Sequence, residues 1–140
     1  MVDRVLVERI LADIQANVRL LREAQDIDWI KYEQDPRSRR FVERTLHILI
    51  EACLDVAQHI ISDEGLREPS SYRDTFVVLA ESGILEQRHL PTFERMAAFR
   101  NLILHYYERM DDQVVFGIFK NHLSDFDLFV EETVRYLKRR

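Results

Sequence analysis

Glycine and proline are scarce in this chain, and each occurs only three times in 140 residues. Because these residues are the usual breaks in helices and strands, their scarcity leaves few turns and predicts long elements. Apolar residues recur at spacings of three and four, which is the period of a helix rather than a strand. We therefore expect an all-α chain that forms one domain over residues 1–140, with no internal repeat or linker.

Two long helices are the clearest elements of the sequence. The first is expected over residues 2–25, and its apolar stripe consists of Val7, Ile10, Ile14, Val18 and Leu21. The second begins with Asp35 as N-cap, has Pro36 in its first turn and ends near Gly65. Its stripe consists of Val42, Leu46, Leu49, Cys53, Val56 and Ile60, widened by Ile48, Ile50, Leu54 and Ile61. Such a helix should be buried on two sides, at the centre of a bundle or partly against another subunit.

The remaining elements are shorter. Their predicted bounds are a loop at 28–35, a third helix from Ser70 or Ser71 to Ser82-Gly83, a fourth helix at 91–110 and a last helix at 113–138. Ser124, with Asp127 three residues later in a capping-box-like position, is a candidate interruption of the last helix. The expected architecture is an antiparallel bundle of four to five helices.

Composition narrows the class of protein. Hydrophobic residues at 46% and charged residues at 32% are typical of a folded globular protein. A net charge of −5 argues against a broad grip on nucleic acid, because phosphate contacts need Lys and Arg. The two basic clusters are Arg37, Arg39, Arg40 and Arg44, and Lys138, Arg139 and Arg140. Solvated helix ends explain these clusters more simply than an RNA footprint does.

The sequence also predicts where the protein resides. Cys53 is the one cysteine, so no intramolecular disulfide is expected and nothing suggests an oxidising compartment. The first residues carry charge rather than the apolar core of a signal peptide. No apolar run approaches the roughly 20 residues that span a bilayer. We expect a soluble, cytoplasmic protein.

The fourth helix carries the side chains most suited to chemistry. At about 100° per residue, its apolar positions should fall on one core-facing side. These positions are Met96, Phe99, Ile103, Tyr106 and Met110. Arg100 and Tyr107 then lie together on one flank of that side, whereas Asn101 and His105 lie almost opposite it.

His105 is therefore expected at an interface rather than in its own core. Leu102 and Leu104 flank the same outward side, which makes plain solvent a poor explanation. Arg100 is about 140° from His105 around a regular helix, but a two-fold dimer would bring two copies of each around one cleft. Histidine can move a proton near neutral pH, and arginine can hold a phosphate. The spacing alone is a weak signal, because such pairs occur by chance in many helices.

The segment Arg100-Asn101-Leu-Ile-Leu-His105-Tyr-Tyr107 resembles the Arg-x4-His-x-Tyr motif of HEPN-domain toxins of the HepT type. The similarity extends to Glu51-Ala-Cys-Leu-Asp55-Val-Ala on the second helix and to Tyr72-Arg-Asp before the third, and so covers most of the chain. It implies an all-α homodimer, HEPN-like in fold, whose two motifs face one cleft. It also implies a metal-independent endoribonuclease without a cofactor.

The resemblance assigns a role to each motif residue. His105 would be the general acid/base, Arg100 the phosphate and transition-state binder, and Asn101 the polar residue that accompanies the arginine. The implied reaction is attack of a ribose 2′-hydroxyl on the adjacent phosphate, which leaves a cyclic phosphate end.

Such toxins are commonly paired with a minimal nucleotidyltransferase antitoxin, abbreviated MNT, that silences them by adding AMP to the motif tyrosine. Tyr107 would be the acceptor here, since Tyr106 belongs to the core-facing side. AMP on Tyr107 would place negative charge and bulk beside Arg100, which supplies a physical reason for silencing.

Other functions fit the same residues. The chain could be a non-catalytic helical partner that binds nucleotides or presents a tyrosine to a nucleotidyltransferase, or a purely structural dimerisation module. His47, Glu51 and Asp55 are four apart and could align as metal ligands, although a solvated helix face is the simpler explanation. Trp29, in the predicted loop, could contact a partner. The remaining aromatic set is most simply core, and consists of Phe116, Phe119, Phe126 and Phe129.

Overall fold

Helices make up all the regular structure in the part of the chain that the structure describes. The structure is a computed structural model that describes residues 2–104 and 111–139, and of residues 103 and 104 only the backbone. The α-helices are α1 Arg4–Glu23, α2 Trp29–Gln34, α3 Pro36–Asp63, α4 Tyr72–Glu81, α5 Leu90–Leu104, α6 Asp112–Asn121 and α7 Leu123–Lys138, with a short 3-10 turn at Gln87–His89. The all-α prediction is confirmed. Within the described ranges, no helix combines the length and apolar character that crossing a bilayer requires.

Helix α3 lies at the centre of the bundle. It packs against α1, α2, α4 and α5, and every residue of its predicted stripe is completely buried. Ile50, Leu54 and Ile61 are buried as well, so α3 is covered on two sides as its sequence predicts. Ile48 is the exception, because 36% of it is exposed. Burial also raises the pKa of the Cys53 thiol, as expected for an inert packed cysteine.

The loop predicted at 28–35 is wrong, because most of this segment forms helix α2. Asp28 caps it, its carboxylate accepting from the Lys31 N–H at 2.8 Å. Tyr32 is completely buried, and the Trp29 ring lies 6.0 Å from the Tyr32 ring and 5.4 Å from Phe116. Trp29 therefore has a packing role within its own chain.

The last predicted helix is interrupted at His122, which separates α6 from α7. Ser124 lies inside the first turn of α7, and no side chain caps that helix. The capping box predicted for Ser124 and Asp127 is not formed, since the Asp127 carboxylate instead pairs with Arg22 on α1. The interruption expected near Ser124 thus lies two residues earlier, and α2 is the helix that the prediction missed.

Aromatic side chains fill the core between α4, α5 and α7. Phe119, Phe126 and Phe129 are buried as predicted, and Phe116 is half-buried. The Phe129 ring lies edge-on to Phe76 at 6.1 Å and to Phe93 at 6.0 Å. This packing fixes α5, whose C-terminal turns carry the candidate site, against its neighbours.

Replacing Phe129 with Ala is expected to lower the free energy of unfolding by about 3–5 kcal/mol, the usual cost of deleting a buried aromatic ring. Urea unfolding at fixed protein concentration, followed by circular dichroism, measures this change. Leu20→Ala is the control, because Leu20 is 47% exposed and its loss should change stability by less than about 0.5 kcal/mol. Equal stability of the two variants would contradict the central position of Phe129.

Candidate functional site

Arg100 is held by two contacts that come from distant parts of the chain. Its side chain is 13% exposed, and its Nε–H donates to Glu51 Oε1 on α3 at 2.9 Å. The guanidinium carbon lies 3.6 Å from the centroid of the ring of Tyr72, the first residue of α4. A cation this close to a ring face is attracted by the ring's quadrupole. The side chain is thus bound at one edge and covered on one face.

Glu51 on α3 lies close to two side chains, Arg100 on α5 and His47 on its own helix. His47 lies one turn earlier, with its Nε2 3.6 Å from Glu51 Oε1. Arg44 lies in turn beside His47, with 3.4 Å between Nη1 and Nδ1. Spacings of three and four place these side chains on one face of the helix. A row of polar side chains on α3, Arg44, His47 and Glu51, therefore leads to Arg100 on α5.

The start of α4 is fixed by a network that sets the position of Tyr72. Ser71 is the N-cap, and its hydroxyl accepts from the Asp74 N–H at 3.0 Å. Asp74 accepts in return from the Ser70 N–H at 2.9 Å. Its two carboxylate oxygens also receive a bidentate pair from Arg67 at 2.8 and 2.9 Å. Tyr72 directly follows the N-cap Ser71, so this network fixes the position of its ring against Arg100.

Asp74→Asn is expected to destabilise the chain at neutral pH but much less in acid. The Arg67 hydrogen bonds hold the pKa of Asp74 well below its usual value. A lowered folded-state pKa means stabilisation that is complete above the unfolded value of about 3.9 and is lost as pH falls through the folded pKa. Urea unfolding of both proteins from pH 6 to pH 2 should show a gap that narrows below about pH 4. A gap that stays constant throughout would contradict this role.

Two clefts open on either side of Tyr72. The first has a volume of about 460 Å³ and is bounded by α1, α3 and α5, with Arg100 in its wall. The second, of about 600 Å³, lies between α4 and α5 and includes Asn101. Tyr72 and Gln58 contribute to both. Although Arg100 and Asn101 are consecutive in sequence, Arg100 lines the first cleft and Asn101 lines the second.

The first cleft is acidic apart from Arg100. Asp13, Glu51 and Asp55 bring three carboxylates to it, and Arg100 is the one cation among its described lining residues. A phosphate group would therefore be attracted to one point of this cleft, the guanidinium. The Glu51 carboxylate already occupies one edge of that guanidinium.

The structure brings together only part of the predicted site. Arg100 and Asn101 lie side by side near the end of α5, with Asn101 exposed as the helical wheel predicts. Met96 and Phe99 are buried, and Leu102 is 43% exposed, which confirms the orientation of the helix. His105 and Tyr107 lie outside the described residues, as do Tyr106 and Met110, which the sequence predicts to face the core.

The metal-ligand hypothesis for α3 does not match the geometry. Glu51 is engaged by Arg100, and Asp55 pairs with His59 at 3.4 Å instead of turning toward His47. Within the described part of the chain, no three His, Cys, Asp or Glu side chains converge as a metal site would need.

The basic cluster at the start of α3 is partly structural. Arg39 donates from Nε to the Tyr32 carbonyl at 3.3 Å and pairs with the Glu33 carbonyl, which ties α2 to α3. Arg37, Arg40 and Arg44 are exposed, as are Lys138 and Arg139 at the end of α7. Solvated helix ends therefore account for most of these charges.

Comparison with known proteins places this chain in a family. The family model described as "Ribonuclease HepT-like" matches residues 14–133. The mRNA nuclease HepT of Shewanella oneidensis is 30% identical over 115 residues, which cover 81% of this chain and 86% of that protein.

Two solved structures share the fold. One is the tri-AMPylated HEPN toxin of Shewanella oneidensis in complex with MNT antitoxin, with a TM-score of 0.82 and 26% identity over all of both chains. The other is YutE of Bacillus subtilis, described as a cytosolic protein of unknown function, with a TM-score of 0.85 and 23% identity over 99% of this chain and 92% of that one. The family model spans most of the chain, and the chain therefore belongs to the ribonuclease HepT-like family.

Proposed function

We propose that the chain is the toxin of a HEPN/MNT toxin–antitoxin system, a metal-independent endoribonuclease that acts in the cytoplasm. The observation that carries the proposal is the arrangement at the end of α5. There an arginine is held at one edge and on one face in the wall of an open cleft, directly before the histidine segment of the motif. Membership in the ribonuclease HepT-like family and the likeness to an mRNA nuclease support this activity.

Each motif residue has a part in the reaction. The ribose 2′-oxygen attacks the adjacent phosphorus, a new 2′-O–P bond forms and the P–5′-O bond breaks. An imidazole takes the proton of the 2′-hydroxyl, and an imidazolium returns a proton to the leaving 5′-oxygen. His105 performs this proton transfer, Arg100 stabilises the charge that develops on the phosphate, and Asn101 donates to the phosphate or orients the imidazole.

A homodimer completes the site. Two His105 side chains, one from each protomer, can divide the roles of base and acid around a two-fold axis. The exposed apolar side chains of Leu102 on α5 and Ile48 in the wall of the Arg100 cleft support a contact with a second copy.

The partner that silences the toxin is a minimal nucleotidyltransferase that transfers AMP to Tyr107. The likeness to a tri-AMPylated HEPN toxin bound to MNT antitoxin supports this regulation. Helical spacing predicts that Tyr107 lies on the same flank as Arg100. An adenylate there adds a phosphate anion beside the arginine that must bind the RNA phosphate, and so competes with substrate by charge and by bulk.

The experiment that tests the proposal is RNA cleavage by the purified chain in excess EDTA. We expect cleavage of RNA without added metal. Mass spectrometry of the same preparation first establishes whether AMP is attached at Tyr107. An unmodified chain that cleaves no RNA would reject the nuclease and favour the non-catalytic partner of a nucleotidyltransferase.

A further inference from the structure

The hydrogen-bond donors of Arg100 fall into two groups, one bound within the protein and one available to a substrate. A guanidinium offers five N–H donors, and it recognises carboxylates and phosphates through paired donors. Glu51 engages Nε, the donor closest to the backbone of Arg100. Within the described residues, neither Nη nitrogen donates to another side chain. Among the described residues, the outer edge of the guanidinium is thus open to a pair of phosphate oxygens.

The Tyr72 ring restricts the remaining freedom of the same side chain. With the guanidinium carbon 3.6 Å from the ring centroid, one face of Arg100 is covered and rotation out of this plane would separate the two groups. Tyr72 is itself fixed by the Ser71 and Asp74 cap. The arginine is ordered before substrate arrives, so less rotamer freedom remains to be lost when phosphate binds.

We propose that Glu51 and Tyr72 are positioning residues that hold the Arg100 guanidinium in its phosphate-binding orientation. This inference rests on the proposed ribonuclease function for its effect on rate, but the ordering of Arg100 can be measured without RNA. Neither residue touches the reacting atoms. They act through Arg100, in the way that supporting residues fix the geometry of a catalytic group.

A competing explanation makes the opposite prediction. The Glu51 carboxylate is an anion bound to the group that must bind an anion, so it could inhibit by occupying Arg100. If Glu51 competes with phosphate, removing its charge should raise kcat/KM. If Glu51 positions Arg100, removing it should lower kcat while KM changes little, because the lost interaction matters most in the transition state.

The kinetic test compares Glu51→Ala, Glu51→Gln, Tyr72→Leu and Tyr72→Phe in EDTA, with kcat and KM determined separately per folded protein. We expect Glu51→Ala and Tyr72→Leu to lower kcat by about 10- to 100-fold, since small misplacements of a catalytic group have effects of this size. Glu51→Gln should recover part of the loss because its amide oxygen still accepts from Nε. Tyr72→Phe keeps the ring and should recover most of the loss seen in Tyr72→Leu. Glu8→Gln, which breaks an exposed pair with Arg4 on α1, is the control for loss of a carboxylate.

The structural test uses the arginine Nε–H resonances of the full chain without RNA. The Arg100 signal is identified by its absence in Arg100→Lys. We expect slow solvent exchange of this N–H in the parent and in Tyr72→Phe, and fast exchange in Glu51→Ala and Tyr72→Leu. Fast exchange in the parent would overturn the inference, as would a rise of kcat/KM in Glu51→Gln. If the parent cleaves no RNA, the proposed function fails and the exchange rates alone decide whether Arg100 is positioned.

Discussion

Replacing His105 with Ala is expected to lower the rate of RNA cleavage by about 10²- to 10⁴-fold, the usual contribution of a general acid or base. His105 directly follows Leu104, where the described part of α5 ends. A histidine imidazole is the side chain best suited to accept and return a proton under physiological conditions. The parent should therefore show a pH-dependent kcat/KM around neutrality, and the variant should lose this dependence.

The comparison requires that both proteins have the same fold and oligomeric state, checked by circular dichroism and light scattering. His59→Gln is the matched control, because His59 is a partly exposed histidine whose described ion pair is with Asp55 on its own helix. We expect the control to cleave at the parent rate. Cleavage by His105→Ala within a few-fold of the parent would remove His105 from the mechanism.

Replacing Arg100 with Ala is expected to lower kcat by about 10²- to 10³-fold, the range observed when a preorganised donor to a developing anion is removed. The same change leaves Glu51 without its partner. Since the Glu51 side chain is 42% exposed, water can solvate it and the fold should persist. Arg100→Lys keeps the charge but loses the planar fork, so its rate should lie between those of the parent and Arg100→Ala.

Arg95 provides the control on the same helix. It is half-exposed and pairs with Asp125 at 3.0 Å, away from both clefts beside Tyr72. Arg95→Ala removes an equal charge from α5 and should leave kcat unchanged. If the two alanine variants lost activity equally, the effect would come from the net charge of the helix and not from the placement of Arg100.

Much of the fold follows from the helical period of the apolar residues. On α3 the spacing predicts the buried face because this helix is long and central, so each apolar residue has a partner on a neighbouring helix. Helix α2 escaped prediction because it has only six residues, too few for a period to show. Its stability comes from Tyr32 and Trp29 packing against Phe116, which is distant in sequence. The Asp28 cap was its one local signal.

The candidate site, like the fold, has a part that the sequence predicts and a part that depends on tertiary packing. Arg100 and its neighbour Asn101 can be predicted from a motif within one helix. The contacts of Arg100 cannot, because Glu51 lies 49 positions away and meets it only through the packing of α3 against α5. Spacing along α3 alone also fits a metal-ligand set of His47, Glu51 and Asp55. Tertiary packing decides between these possibilities by turning Glu51 toward Arg100.

The RNA ends that the chain leaves are the most direct test of attack by the 2′-hydroxyl in a metal-independent site. Purified chain and His105→Ala are incubated with RNA in excess EDTA, and the 3′ ends of the products are assayed for 2′,3′-cyclic phosphate. We expect cyclic phosphate ends from the parent and their near absence with the variant. Products ending in 3′-hydroxyl, or cleavage that requires added Mg²⁺, would contradict attack by the 2′-hydroxyl in a metal-independent site.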